Sequence, residues 1–569
     1  MTLPRQPLFL RVLLRTSSNI MAQNRGIINA ILDRSIGWLL GLPSERCGYT
    51  TELVSIPLKD GAILAADLYK PDGMKPLGTI LAQCPYGRGI FMAAGNARIF
   101  APRGYQILLV SCRGTFGSTG DFNGGFSQLE DGQEIVSWMR EQPWYTGTFA
   151  TIGASFMGYA QWALLRDPPK DMVAAIITAG PHDFAESNWG TGAFRLQQRL
   201  SWADLIVHQE TATISDRLKM MGTSRIDPMI HATPLQEHVD AYFGDKAPWL
   251  THSLTHPDIT DPSWASQRHG EALEKADIPI LLISGWHDVF LDQTMHQYQR
   301  LVERGCNVAL TIGPGAHMDV QNGDSNRDTL VWLDKYLAGK EDAERKTAVR
   351  ACLGSPGQGW LDLPIWPPHL HTQTTPSELY LHPNGVLERS EPSEEASSSF
   401  IFNPQDPTPT VGGPLLTGGG SVDDTALAAR DDTLVFETKV WERGMIIAGQ
   451  PVVKLEHSTD RPYADLFVRL GEVNAKGRSH NVTEAFIRLP VERDSRSVTI
   501  PMRHIAHRFA EGSRIRLVIA GGSHPQFARN YGSGEPLATG TTLIPVKHTV
   551  YHGPQGISSI ELPTMSAFV

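Results

Sequence analysis

Cysteine is scarce in this sequence: Cys47, Cys84, Cys112, Cys306 and Cys352 are the five in 569 residues, odd in number, widely scattered and without a CxxC pair. That excludes a disulfide scaffold and a Cys-rich zinc module, and it fits reduced thiols in a cytoplasmic compartment. No stretch approaches the roughly 18 to 20 uninterrupted apolar residues of a bilayer-spanning helix, so no membrane partner is expected. A basic surplus is missing too. Fifty Lys and Arg against sixty Asp and Glu leave a net charge of −10, the wrong sign for a protein that displaces counterions from nucleic acid.

The chain is too long for one core, since single cores stop growing at roughly 250 to 300 residues. The stretch 1–48 reads as an arm followed by an amphipathic helix, with Ile28, Leu32, Ile36, Leu39 and Leu40 along one side. Its Arg5, Arg11, Arg15 and Arg25 precede the first acid, Asp33, a pattern that also fits a mitochondrial presequence. From Tyr49 onward short strands take over, beginning with an antiparallel pair around the Lys59-Asp60-Gly61 turn. Strand, helix and strand then alternate, which indicates a parallel sheet with crossover helices over 49–180. Alternation stops over 181–270, a Trp-, His-, Gln- and Met-rich helical insertion, and resumes over 271–345. Beyond that, Pro364, Pro367, Pro368, Pro376 and the acidic, Ser-rich stretch 390–399 read as linker and loops. Later alternating runs within 346–569 are spaced for an all-β sandwich.

Thr151-Ile152-Gly153-Ala154-Ser155-Phe156-Met157-Gly158 is a strand entering a Gly-flanked turn and then a helix, the setting of a nucleophile elbow. Such a turn lifts the Ser155 hydroxyl above the sheet and aims the Phe156 amide at an oxyanion. The second glycine comes one place later than in G-x-S-x-G. A serine attacks only when a histidine takes its proton and a carboxylate holds that histidine's tautomer. In this sheet class the partners follow in the order Ser, Asp or Glu, His, at the ends of later strands. Asp288 ends one such strand in Gly285-Trp286-His287-Asp288, and His317 ends the next in Gly313-Pro314-Gly315-Ala316-His317. His287 is the weaker candidate base. Asp292 and Asp319 read as carboxylates that cap or solvate loops, and no cluster at ligand spacing supports a metal, so neither metal nor cofactor is expected.

Five stretches in the same order resemble the cocaine esterase group of the Xaa-Pro dipeptidyl-peptidase-like (CocE/NonD) serine hydrolases: Gln83 to Arg88, Cys112 to Phe122, the Ser155 turn, Gly285 to Phe290 and Gly313 to His317. The resemblance implies an α/β-hydrolase domain with an inserted helical cap and a C-terminal all-β, jelly-roll-like domain. It implies Ser155 as nucleophile, His317 as base, Asp288 as orienter, and Tyr86 beside the Phe156 amide as oxyanion hole. Trp189 and Phe290 match positions that line the acyl pocket, and Leu416 with Thr417 lies on a β-domain loop near it. Gly315-Ala316 stands where members of the group often have Trp-Ser, which removes a bulky wall beside the base. Arg113 and Asp121 match a loop of the group and read as structural.

The expected activity is hydrolysis of a carboxylic ester or activated amide of a small organic molecule through an acyl-enzyme. One alternative is an Xaa-Pro or α-amino-acyl hydrolase, which needs carboxylates to grip a free amine; Asp183 and Glu186 are the only obvious ones. A silent binding protein on the same scaffold is the other. A small-molecule ester or amide is the expected partner, with a homodimer left open.

Overall fold

The computed structural model describes residues 22–220, 222–354, 357–368 and 374–565. Most of the Arg-rich stretch that suggested a presequence therefore lies outside the described residues. Among the described residues no helix is long and apolar enough to cross a membrane.

The first sheet has eleven strands. A short edge strand at Gln23–Asn24 is followed by β1 (Tyr49–Pro57), β2 (Ile63–Pro71), β3 (Thr79–Cys84), β4 (Gln106–Ser111), β5 (Phe149–Ala154), β6 (Met172–Thr178), β7 (Ile280–His287), β8 (Val308–Ala316), β9 (Val349–Cys352) and β10 (Trp360–Leu363). Their spatial order is edge strand, β1, β2, β4, β3, β5, β6, β7, β8, β9, β10. The strands from β4 to β9 are parallel, while β1, β2 and β10 pair antiparallel to their neighbours. Parallel strands are covered on both faces by crossover helices, and β3, β4 and β7 are buried at every position.

The N-terminal helix α1 (Gly26–Leu39) corrects one expectation. Ile28 and Leu39 are 76% and 77% exposed, and the residues it buries are Asp33 and Gly37. A polar clamp docks this helix instead of an apolar stripe: Asp33 accepts hydrogen bonds from Tyr49 Oη (3.0 Å) and Arg98 Nε (2.8 Å). Ile36 and Leu40 alone of the five expected residues pack, partly buried, against the core.

Further helices are α2 (Gln128–Arg140), α3 (Phe156–Leu164), then, between β6 and β7, the cap helices α4 (Phe184–Trp189), α5 (Leu196–His208), α6 (Pro248–Thr255) and α7 (Gly270–Lys275), with other helical segments such as Leu235–Phe243 among them. After β7 come α8 (Leu291–Glu303) and α9 (Gly323–Tyr336). Arg113 holds the loop after β4 by bonding Asp131 at 2.6 Å and Asp60 at 2.6 Å.

The remaining strands, thirteen in number, form the C-terminal all-β, jelly-roll-like domain. The expected boundary at residue 345 falls before β9 and β10, which complete the first sheet, β9 pairing with β8 and β10 with β9. Two segments read as linker are strands: Thr374–His382, which contains Pro376, and Ala396–Phe402. The second pairs along its length with Val546–His552 at one end of the strand order, so its alternate serines face outward without cost.

The β domain reaches back to the first sheet. Arg503 donates to the Asp288 carbonyl and, at 3.0 Å, to the Asp292 carboxylate. Arg503→Met removes the donor to a buried carbonyl and is expected to destabilise the chain by about 2 kcal/mol. Urea denaturation checks this, and a midpoint equal to the parent's would mean the contact contributes nothing.

Candidate active site

Ser155 stands between β5 and α3 with φ 60° and ψ −123°, a strained conformation for a residue with a side chain. The strain presents its hydroxyl at the carboxyl end of the sheet. The late glycine of the motif has a packing reason: a Cβ on Gly158 would come within 2.6 Å of the Gly180 Cα, so helix α3 lies directly on the turn after β6. Phe156 opens α3, where backbone amides have no intrahelical acceptor.

The ends of β7 and β8 close together in the same way. A Cβ on Gly285 would collide with the Gly315 carbonyl, and one on Gly315 with Asp319. Bare backbone at these two positions brings Asp288 and His317 to the Ser155 turn. Asp319 accepts from the Ala316 amide at 3.0 Å, a cap on the turn that carries His317.

The three side chains form one line. Ser155 Oγ is 2.9 Å from His317 Nε2, and His317 Nδ1 is 2.7 Å from Asp288 Oδ1. Asp288 is fully buried, yet its carboxyl is held below the usual range: burial opposes this, and it is outweighed by His317, the Ser284 hydroxyl at 2.7 Å and the Phe290 amide. The Phe290 ring meets the His317 ring edge-on at 5.3 Å. His287, the weaker candidate base, is buried on β7 with its imidazole pushed down to about 3, first by burial and then by Arg503, Arg469 and His507. It has no hydrogen bond to Ser155.

Tyr86 faces the line from the other side. Its oxygen accepts from Trp202 Nε1 at 3.2 Å, and its hydroxyl faces Ser155. Burial pushes the phenol up to about 12, so it keeps its proton at neutral pH. An indole N–H can only donate. The single hydrogen of Tyr86 is therefore free to point at Ser155 or at an oxyanion forming beside it.

A narrow cavity of about 20 Å³ opens on Ser155. Phe156, Phe184, Trp202, Phe290 and Leu416 supply its apolar wall, Gln198 and Arg199 its polar part, and no acidic side chain lines it. Leu416 is brought there by its loop, whose backbone N–H donates to Gln197 Oε1 at 3.2 Å while Gln197 Nε2 donates to Thr417 Oγ1 at 3.0 Å. Trp189 is elsewhere: its Nε1 donates to Ser253 O at 2.7 Å and its ring packs on Phe194, behind the cavity wall. Sequence reasoning missed Phe184, Gln198, Arg199 and Trp202. The available signal was the Gln-Gln-Arg run of α5, polar residues in a helix that is nonetheless buried from Leu196 to Asp204.

Asp183 and Glu186 do not reach Ser155's cavity. Asp183 caps α4 by accepting from the Glu186 amide at 3.0 Å, and its other oxygen takes Arg268 at 3.1 Å. Glu186 instead groups with His182 and His296, their ligand atoms all within 4.8 Å of one another. Among the described residues these three could hold a metal ion, a grouping that sequence spacing did not reveal. Burial, then Asp183 and Asp292, push the Glu186 carboxyl up to about 7.

Comparison with known proteins identifies the family. The X-Pro dipeptidyl-peptidase (S15 family) model matches residues 60–319, and that of the X-Pro dipeptidyl-peptidase C-terminal non-catalytic domain matches 341–561. The chain belongs to the X-Pro dipeptidyl-peptidase-like serine hydrolases. A relative within these hydrolases is the cocaine esterase of Rhodococcus sp. (strain MB1 Bresler), 24% identical, with 90% of this chain and 97% of that protein covered. The same fold is seen in an aminopeptidase from a marine sediment Thaumarchaeota archaeon (TM-score 0.78, 21% identity, 91% and 97% covered). It is seen again in an α-amino acid ester hydrolase (TM-score 0.78, 20% identity, 92% and 98% covered). As an X-Pro dipeptidyl-peptidase-like hydrolase, the chain is an enzyme.

Two outcomes test the line of donors. Tyr86→Phe keeps the ring but loses the proton that meets the oxyanion, so kcat should fall about a hundredfold or more with little change in melting temperature. Trp202→Phe leaves Tyr86 in place but unanchored, and a loss of roughly fivefold in kcat is expected. A Tyr86→Phe enzyme that melts lower yet turns over normally would remove Tyr86 from the site.

Proposed function

We propose that this enzyme is a carboxylesterase that cleaves small organic esters through Ser155, His317 and Asp288. Ser155 attacks the ester carbonyl while His317 Nε2 takes its proton. The Tyr86 hydroxyl and the Phe156 amide stabilise the tetrahedral oxyanion, and His317 then protonates the departing alcohol. Water repeats the sequence on the acyl-enzyme, with Asp288 holding the imidazole in the required tautomer throughout. The observation that favours an ester over an aminoacyl substrate is the cavity wall. A free α-ammonium group buried beside Ser155 needs a carboxylate, and the lining supplies none. Asp183 and Glu186, the acids that could have served, are turned to Arg268 and to the histidine pair.

A fluorophosphonate probe is expected to label Ser155, and Ser155→Ala to abolish labelling. Asp288→Asn should lose roughly four orders of magnitude in kcat, the cost of holding a triad imidazole in the wrong tautomer, while Asp319→Asn stays near the parent rate. Simple p-nitrophenyl esters should be turned over with aminoacyl and Xaa-Pro p-nitroanilides left intact. Rapid cleavage of the anilides would transfer the enzyme to the peptidase class.

A further inference from the structure

Arg199 lines the cavity that opens on Ser155, yet nothing in the mechanism above uses it. Its side chain comes from α5 and the residue is 3% exposed. The guanidinium lies against three aromatic rings, 5.6 Å from the centroid of Phe184, 5.1 Å from Trp202 and 5.5 Å from Trp249. Of its five N–H donors, Nη2 bonds Ser253 Oγ at 2.9 Å. Nε is buried without an acceptor, and no carboxylate among the described residues forms an ion pair with it.

Among the other buried arginines, Arg469 is matched by Glu484 at 2.6 Å, Arg98 by Asp33 at 2.7 Å and Arg516 by Glu437, while Arg103, without an ion pair among the described residues, donates to the Pro43 and Ile99 carbonyls instead. A buried cation without its anion is costly, and aromatic faces recover only part of the loss. Burial lowers the guanidinium to about 9, which still leaves it charged at neutral pH. Beside it in the lining, Gln198 has a buried Oε1 with no donor, while its Nε2 points to Ser187 Oγ at 3.1 Å. Turning that amide over would let the Ser187 hydroxyl donate to Oε1 and free the Nε2 hydrogens toward the cavity.

The cavity is also the part of the site where a group must stay. The alcohol leaves and water enters after the first half-reaction, whereas the acyl group remains on Ser155. The aromatic recess is narrow, about 20 Å³ and so roughly the room of one water, and the part that stays must therefore be short and must part the rings around Arg199 as it enters. Resting on the esterase reading above, we infer that Arg199 binds a carboxylate at the far end of the acyl group, so that the preferred substrates are monoesters of short dicarboxylic acids. Hydrolysis then releases the alcohol and the dicarboxylate, with water as the only co-reactant.

Ethyl hydrogen succinate and ethyl 4-oxopentanoate match in length and differ in charge, and proton release follows both. The parent enzyme should favour the succinate ester at least tenfold in kcat/KM. In Arg199→Met that ratio should fall at least tenfold, with part of it kept in Arg199→Lys, and the Met variant should melt no lower than the parent because an unmatched buried charge has gone. A purely structural arginine gives the opposite pattern: a lower melting temperature, both esters affected alike, and the inference overturned. Should Arg199→Met fail to fold, product inhibition of the parent decides, with succinate expected to compete at a concentration at least tenfold below pentanoate. Equal inhibition by the two overturns the proposal. Failure of both esters together with an unlabelled Ser155 overturns the esterase reading as well, whereas brisk cleavage of the neutral ester without preference for the charged one removes only Arg199.

Discussion

One row of polar side chains organises this site: Trp202 donates to Tyr86, the Tyr86 hydroxyl faces Ser155, and Ser155, His317 and Asp288 are hydrogen-bonded in turn. Its two ends fix its sense. An indole N–H only donates and an ionised carboxylate only accepts, so every proton between them points the same way. The serine proton is thus aimed at the imidazole before any substrate arrives. Each member of the row is delivered by a different element: α5, the turn after β3, the elbow, and the ends of β8 and β7. The sheet must close its strand ends tightly for the row to exist, and the side-chain-free backbone at Gly158, Gly285 and Gly315 permits that closure.

The charged end of the row depends on the β domain. Asp288 has its carboxylate occupied by His317, the Ser284 hydroxyl and the Phe290 amide, and its carbonyl is held by Arg503 from beyond the first sheet. Leu416 arrives in the cavity on a loop of the same domain, locked by Gln197, which accepts from the Leu416 amide and donates to the Thr417 hydroxyl. A C-terminal half described in its family as non-catalytic therefore shapes both the setting of Asp288 and the wall of the cavity beside Ser155.

The parallel sheet, the helical insertion and the positions of Ser155, Asp288 and His317 were legible in the sequence because each leaves a local trace: continuous apolar runs, a break in alternation, glycines at strand ends. What was not legible depends on partners distant in the chain. Helix α1 carries an apolar face, and only Tyr49 and Arg98 explain why Asp33 is the side that docks. Trp189 seemed a wall residue until the Ser253 carbonyl drew its indole away. β9 and β10 are only 4 residues each, too short to announce which sheet they join. Arg199 and the His182, Glu186, His296 group are spread over the cap and α8, so no spacing signals them.

Helix α5 has a consequence for how such an enzyme diversifies. One buried helix of 13 residues anchors Tyr86 through Trp202, grips the β-domain loop through Gln197 and presents Arg199 to the cavity beside Ser155. On the roles proposed above, specificity and rate are written on neighbouring turns of one rigid rod. A lineage that exchanged Arg199 to admit a different acyl chain would do so less than one helical turn from the residue that steadies its oxyanion hole, where a shift of the rod disturbs both. New substrates would then be acquired more readily through the Leu416 loop or Phe290, which can change without moving that helix.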